Sequence, residues 1–371
     1  MSRRRLILAA LLLLIGAACA CQQVVFTPRP TIPLVLSIAA DTTGPYRLAA
    51  QAGQRGAEGS IALAGEPAEV IALARRFQRA DLRDNVDGRT VRDSLPDFAG
   101  ESFDAILDAV HAPYTHFLAE DPALDSLREA TVRNAVFAWD STCLKSSQDL
   151  ESRLHKTRAK ILIFTSSMQA EYGLFDVDTL QQLCGGRSIL LSPAEVLLNE
   201  AFAGGALHIG VWTSRDVKAS DAWQRLFGRI APEDATLAVI APDAALDVRT
   251  ELRGFLRQYR ATGRPLDILI LDTYDTDLSP LQSELTMIRR AGAEEDAAFD
   301  KMLTPQFRFL EPGPVIVDAT YRILRERSLF THRIANPAVH YYQTEESEDG
   351  SPCLVEVGAA YVQRAYVSDQ H

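Results

Sequence analysis

Cysteine is scarce beyond the first 21 residues. Only Cys143, Cys184 and Cys353 remain there, and no two of them form a CxxC pair. No HExxH run occurs either, so a zinc site has no support and no metal or cofactor is expected. A GxSxG elbow is missing, which excludes the usual α/β serine hydrolase. Glycine-rich phosphate loops are missing too. Gly185-Gly186 and Gly204-Gly205 are isolated pairs at positions where helices should end. After residues 6–15 no apolar run approaches the roughly 20 residues that a membrane span needs. Basic charge is short: 38 Lys and Arg stand against 49 Asp and Glu, a net charge of −11. A nucleic-acid partner needs a basic surface, so none is expected.

What is present supports a folded protein of more than one core. The chain has 371 residues, 47% of them hydrophobic. That length exceeds what a single core usually spans, and two domains are the default.

The first 21 residues carry the most explicit signal. Arg3-Arg4-Arg5 precede the apolar run 6–15, and small residues lead to Cys19 and Cys21. A basic stretch, a short apolar stretch and a small-residue exit make an export signal. Cysteine directly after small residues resembles the lipobox of bacterial lipoproteins. That resemblance implies that Cys19 or Cys21 is acylated and that the lipid bilayer holds the protein through acyl chains. It implies a place in the cell envelope, at the outer membrane because no Asp follows either cysteine. An exported compartment is oxidising, so Cys143 and Cys184, which flank the strand expected at 161–165, are the candidate disulfide pair.

Residues 22–32 read as a tether, with Pro28 and Pro30 keeping it extended. The near-continuous apolar run 33–40 reads as a buried strand, and 60–64 as a weaker one. Residues 68–80 have helical spacing behind Pro67. Helices are expected at 103–110 and 124–134, and a strand at 135–139. From Lys160 onward strands and helices alternate at βαβ spacing. Strands fall at 161–165, 188–191, 207–213, 236–241 and 266–271, with amphipathic helices between them and at 281–290. A further strand is expected at 314–317, and 339–344 with 354–357 form a C-terminal hairpin. The expected fold is α/β, with two Rossmann-like parallel-sheet domains at 33–157 and 158–291. The segment 292–371 follows and returns to the first domain.

In open α/β sheets ligands bind beyond the carboxyl ends of the strands. Several strand-to-helix turns here are polar: Asp41-Thr42-Thr43, Ser166-Ser167 after Thr165, Trp212-Thr213, and Asp272-Thr273-Tyr274. Their hydroxyls and carboxylates suit a polar ligand, although the same residues also cap helices. These ten residues are the candidate ligand-binding set.

The order of elements from 33 to about 335 resembles periplasmic-binding-like proteins of the first type. That resemblance implies a small polar solute in an interdomain cleft, domain closure without chemistry, and a membrane transporter as partner. Two alternatives stand beside it. One is an exported hydrolase or racemase of envelope material on a similar α/β scaffold. The other is an envelope assembly protein.

Overall fold

The computed structural model describes residues 30–367 except 54, 55, 86, 122, 244–246, 275, 291, 332 and 334. The leader with Cys19 and Cys21, and most of the tether, lie outside the described residues. Where description begins, the chain is already packed. Thr31 Oγ1 donates to Asp176 at 2.8 Å, and Ile32 is buried.

Two sheets organise the molecule. The first has eight strands in the order β4-β3-β12-β11-β2-β1-β5-β6. Its centre is parallel: β1 (Ser60–Gly65) lies between β2 (Ser102–Leu107) and β5 (Ala159–Phe164). β6 (Ile189–Leu191) extends it on one side, β11 (Ala338–Glu346) on the other. Two antiparallel pairs complete it, β11 with β12 (Pro352–Val357) and β3 (Thr142–Ser146) with β4 (Asp149–His155).

The central strands are buried on both faces, which explains their unbroken apolar runs. Ile61, Leu63, Phe103, Ala105, Ile161 and Ile163 point to one face, under α3 (Pro67–Gln78) and α13 (Pro312–Glu326). Ala62, Ala64, Ile106, Leu162 and Phe164 point to the other, under α5 (Asp125–Trp139) and α6 (Ser167–Cys184). The short helices α1 (Pro33–Ala40) and α2 (Pro45–Ala52) pack on that second layer.

The second sheet has four parallel strands in the order β10-β9-β7-β8. They are β7 (His208–Trp212), β8 (Thr236–Ile240), β9 (Leu266–Leu271) and β10 (Leu303–Leu310). One face carries α10 (Val248–Arg260), α11 (Leu278–Arg289) and α12 (Glu294–Met302). The other carries α7 (Pro193–Ala203) and α9 (Ala222–Ile230). The molecule is thus α/β, with two sheets each covered by helices and a C-terminal hairpin.

Several local expectations change. Residues 33–40 form helix α1 with Pro33 in its first turn, burying Val35 and Ile38 and leaving Leu36 exposed. Residues 102–107 are strand β2, because Asp104 is neutralised within the sheet and so tolerates full burial. The helix from Asp125 runs unbroken through Trp139, and 314–317 belong to helix α13. The expected boundary at 157–158 falls inside the first sheet, since β5 pairs with β1 and β6 with β5. The tail divides: β10 joins the second sheet, and β11 and β12 join the first. Cys143, Cys184 and Cys353 are free thiols, so no disulfide joins Cys143 to Cys184. Cys184 lies instead 3.3 Å from Arg47 Nη1. Among the described residues no helix is long and apolar enough to cross a membrane.

Candidate active site

The carboxyl ends of the two sheets meet, and acids gather there. Gly65 closes β1 where the chain passes close to β5. A methyl group at Gly65 would overlap Thr165 Oγ1. Glu66 then stands at the N-cap position of α3, its side chain turned away from the helix amides, and Glu69 lies in the first turn, where a carboxylate suits the helix dipole. Glu66 Oε1 accepts from the backbone N–H of Tyr114 at 3.0 Å. Glu69 Oε2 accepts from Thr165 Oγ1 at 3.0 Å. β2 ends at Asp108, fully buried, which accepts from Tyr114 Oη at 2.9 Å, Asn134 Nδ2 at 2.7 Å and Thr344 Oγ1 at 3.0 Å. Tyr114 and Asn134 share Oδ2, and His111 Nδ1 lies 2.8 Å from Oδ1 beside Thr344.

The second sheet contributes Asp272 at the end of β9. Its Oδ2 accepts from Thr213 Oγ1 at 2.7 Å, Trp223 Nε1 at 2.8 Å and, more weakly, Ser167 Oγ at 3.4 Å. Tyr274 reaches back into the first sheet, where its hydroxyl donates to Thr165 O at 2.7 Å. The turn Thr165-Ser166-Ser167 therefore touches acids from both sheets.

Among the described residues, Asp108 is the one of these acids with an ion-pair partner, His111 at 2.8 Å. Among the described residues, no arginine or lysine bonds Glu66, Glu69, Asp108 or Asp272. The electrostatic result follows. Burial, reinforced by the charges of Glu66 and Asp272, pushes the Glu69 carboxyl up to about 8, so it keeps its proton at neutral pH. Burial raises Glu66 as well, against the pull of the Tyr114 N–H. Burial also raises Asp272, opposed by its donors Trp223, Thr213 and Ser167. Glu66, Glu69 and Asp272 are each half-buried. Gln169 Nε2 donates to Tyr114 Oη at 3.2 Å, leaving its buried Oε1 an unfilled acceptor at the same place.

A cavity of about 540 Å³ does not contain this cluster. It runs along α6 and α9, lined by Leu174, Phe175, Arg225 and Arg229 among others. Size alone would favour it as the site. The acids argue otherwise, because chemistry needs perturbed groups and these lie at the strand ends. No group of three His, Cys, Asp or Glu among the described residues is arranged to hold a metal ion.

The expected site residues divide. Ser166, Ser167, Thr213, Asp272 and Tyr274 come together at the junction, and Thr273 is exposed beside them. Asp41, Thr42 and Thr43 do not join them. They form a turn between α1 and α2, with Asp41 Oδ1 accepting from the N–H groups of Thr43 and Gly44. Arg47, one turn on, bonds Leu183 O at the far end of α6. That helix has 18 residues and so is about 27 Å long, with Ser167 at its opposite end. Trp212 is a packing residue stacked on Phe255 at 6.3 Å. Sequence reasoning missed Glu66, Glu69, Asp108, Tyr114, Gln169 and Trp223. The signal for Glu66 and Glu69 was present: a buried strand running straight into acid, proline and a second acid.

No protein-family model matches the chain, and no curated protein matches it. Solved structures do. A glutamate racemase from Bacillus anthracis aligns over 77% of this chain and 89% of its own, at 13% identity and a TM-score of 0.49. A Francisella tularensis glutamate racemase in complex with D-glutamate aligns over 79% and 91%, at 12% identity and a TM-score of 0.48. One from Aquifex pyrophilus covers 78% and 90%, at 14% identity and a TM-score of 0.42.

The expected resemblance to periplasmic-binding-like solute binders is therefore corrected. The solved structures named above are glutamate racemases, and an arylmalonate decarboxylase aligns over 57% of the chain as well. The strand ends meant to hold a solute bind one another, and Tyr274 fills the first sheet's core. Free closure about a hinge is opposed by Arg225 and Arg229 on α9, which both pair with Glu171 on α6. The lipoprotein assignment and the transporter partner go too, and Cys19 and Cys21 lie outside the described residues.

Proposed function

We propose that this chain is an acid–base enzyme, a racemase or epimerase that removes and returns a proton on a small polar substrate at the junction of the two sheets. One observation carries the reading. Carboxyl groups from both sheets, Glu66 and Glu69 on one side and Asp272 on the other, meet at the Thr165–Ser167 turn with no arginine or lysine bonded to them among the described residues. Proton transfer in either direction needs one group that holds a proton and one that accepts it. Glu69 is the proton holder, and Asp272 is the acceptor that its three donors favour in the ionised form.

Thiol chemistry has no place in this scheme. Cys143 sits on β3, and burial pushes its thiol up to about 11. Burial raises Cys184 and Cys353 as well. A thiol that keeps its proton is a poor nucleophile. Among the described residues no arginine or lysine bonds the cluster to receive a second substrate carboxylate. Glutamate, bound in the Francisella structure, is therefore not proposed for this chain, and a neutral or cationic carbon acid fits better.

The test is proton wash-out. The full chain is incubated in D2O with a panel of D- and L-amino acids, and loss of the α-proton is followed by NMR. Exchange with at least one member is expected. Glu69→Gln and Asp272→Asn should each slow it by about 10²–10⁴-fold. Exchange unaffected by both substitutions would remove this site from the chemistry.

A further inference from the structure

A second cavity, about 520 Å³, lies at the other end of α3 and gathers arginines. Arg75, Arg76 and Arg79 come from the last turn and cap of α3, and Arg92 comes from the separate loop 81–97. The floor is apolar: Ala72, Ala80, Leu82, Pro314 and Val317. Basic residues at a helix C-terminus are favoured by the dipole, but Arg92 belongs to no helix. Arg75 and Arg79, four apart on one face, repel each other.

The arrangement is built rather than loose. Asp97 holds the loop by accepting from Leu82 N at 2.8 Å and Arg83 N at 3.0 Å. Asp81 Oδ1 accepts from Asp93 N at 3.1 Å, which fixes the residue beside Arg92. Gly313 on α13 leaves room for the Arg76 stem, since a methyl there would sit 3.3 Å from Arg76 Cγ. The countercharge is incomplete. Arg76 pairs with Glu311 at 3.3 Å, and Arg75 bonds only the neutral Gln363. The side chains of Arg79 and Arg92 have no partner among the described residues. The groove lining thus holds four guanidinium groups and one carboxylate, Asp81, with Glu311 paired to Arg76 beside it, on a chain of net charge −11.

We propose that this groove binds a phosphate-bearing ligand, its phosphate held by Arg79 and Arg92 with Arg75 and Arg76 beside them, and its apolar part on the floor. Guanidinium groups offer paired N–H donors that match phosphate oxygens. The groove lies the length of α3 away from Glu66 and Glu69, so this site is independent of the proton chemistry.

Two probes separate the sources of such a phosphate. Inorganic pyrophosphate is titrated into the full chain by calorimetry, and phosphatidylglycerol vesicles are tested by co-sedimentation. Saturable pyrophosphate binding that weakens with salt marks a soluble ligand. Vesicle binding that pyrophosphate displaces marks a lipid headgroup. In either case Arg79→Gln with Arg92→Gln should weaken binding at least about tenfold. Both side chains are exposed, and an unchanged circular-dichroism spectrum and Tm will show that folding is intact. Arg92→Gln alone, on the loop, should give part of the loss. Failure of both probes to bind, or full binding by the double variant, overturns the proposal.

Discussion

The two ends of the first sheet treat buried acids in opposite ways. At the amino end, Asp104 meets Lys156 at 3.0 Å, and Glu101 meets Lys160 at 2.7 Å. The Lys160 ammonium is complete, because Ala57 O and Leu329 O accept its other protons at 2.7 Å. At the carboxyl end Glu66 and Glu69 meet a backbone amide and a hydroxyl, and Asp108 meets hydroxyls, an amide and the His111 ring rather than a lysine or arginine. Unneutralised acids are costly to bury. A sheet that neutralises its acids at one end and leaves them bare at the other marks the bare end as the working one.

The largest effect should come from breaking the neutralised end. Lys160→Met leaves Glu101 buried and uncompensated, and should lower the unfolding free energy by roughly 3–5 kcal/mol in urea titrations. A loss as small as that of a surface pair would erase the contrast between the two ends.

At the bare end the sign should reverse. Glu69→Gln should stabilise the fold at pH 7 by about 1–3 kcal/mol while slowing proton exchange. Below pH 4.5, the ordinary value for this carboxyl, both folded and unfolded chains hold the proton and the substitution changes little. Between there and about 8 the unfolded chain ionises while the folded one does not, so the wild type loses stability relative to the variant. Above that the difference stays constant. A stability gain with lost activity is the behaviour expected of an active-site acid.

Gly65→Ala tests the close approach of β1 and β5 that places Thr165 beside Glu69. It should cost about 1–3 kcal/mol in chemical denaturation. The smallest change should come from Trp223→Phe, which removes one donor from Asp272. Stability should fall by about 1 kcal/mol. The acid limb of the pH–rate profile should move to higher pH, since the lost N–H favoured the carboxylate. An unmoved profile would make Trp223 a packing residue only.

The second half of the chain was legible because its strands are short and apolar and its helices amphipathic. The strand at Leu266–Leu271 and the helix Val248–Arg260 behave as their spacing predicts. The first half was not, for local reasons. An eight-residue apolar run fits a helix or a strand equally, and Pro33 in the first turn was the overlooked cue. Phe103, Ile106 and Leu107 have helical spacing by coincidence, and Asp104 looks polar until Lys156 is seen beside it. Reading that strand as a helix hid Asp108 at its end. Glu66 and Glu69 were hidden differently, because acids in a first helical turn are ordinary caps. Only the approach of Asp272 from the other sheet makes them unusual, and no spacing along the chain reveals that.

Carboxyl-carbon NMR of the Glu69 side chain, followed through pH, addresses the heart of this account. A midpoint near 8 is the expected result. A midpoint at the ordinary glutamate value would mean a solvated carboxylate, and the bare end of the sheet would then hold no proton to give.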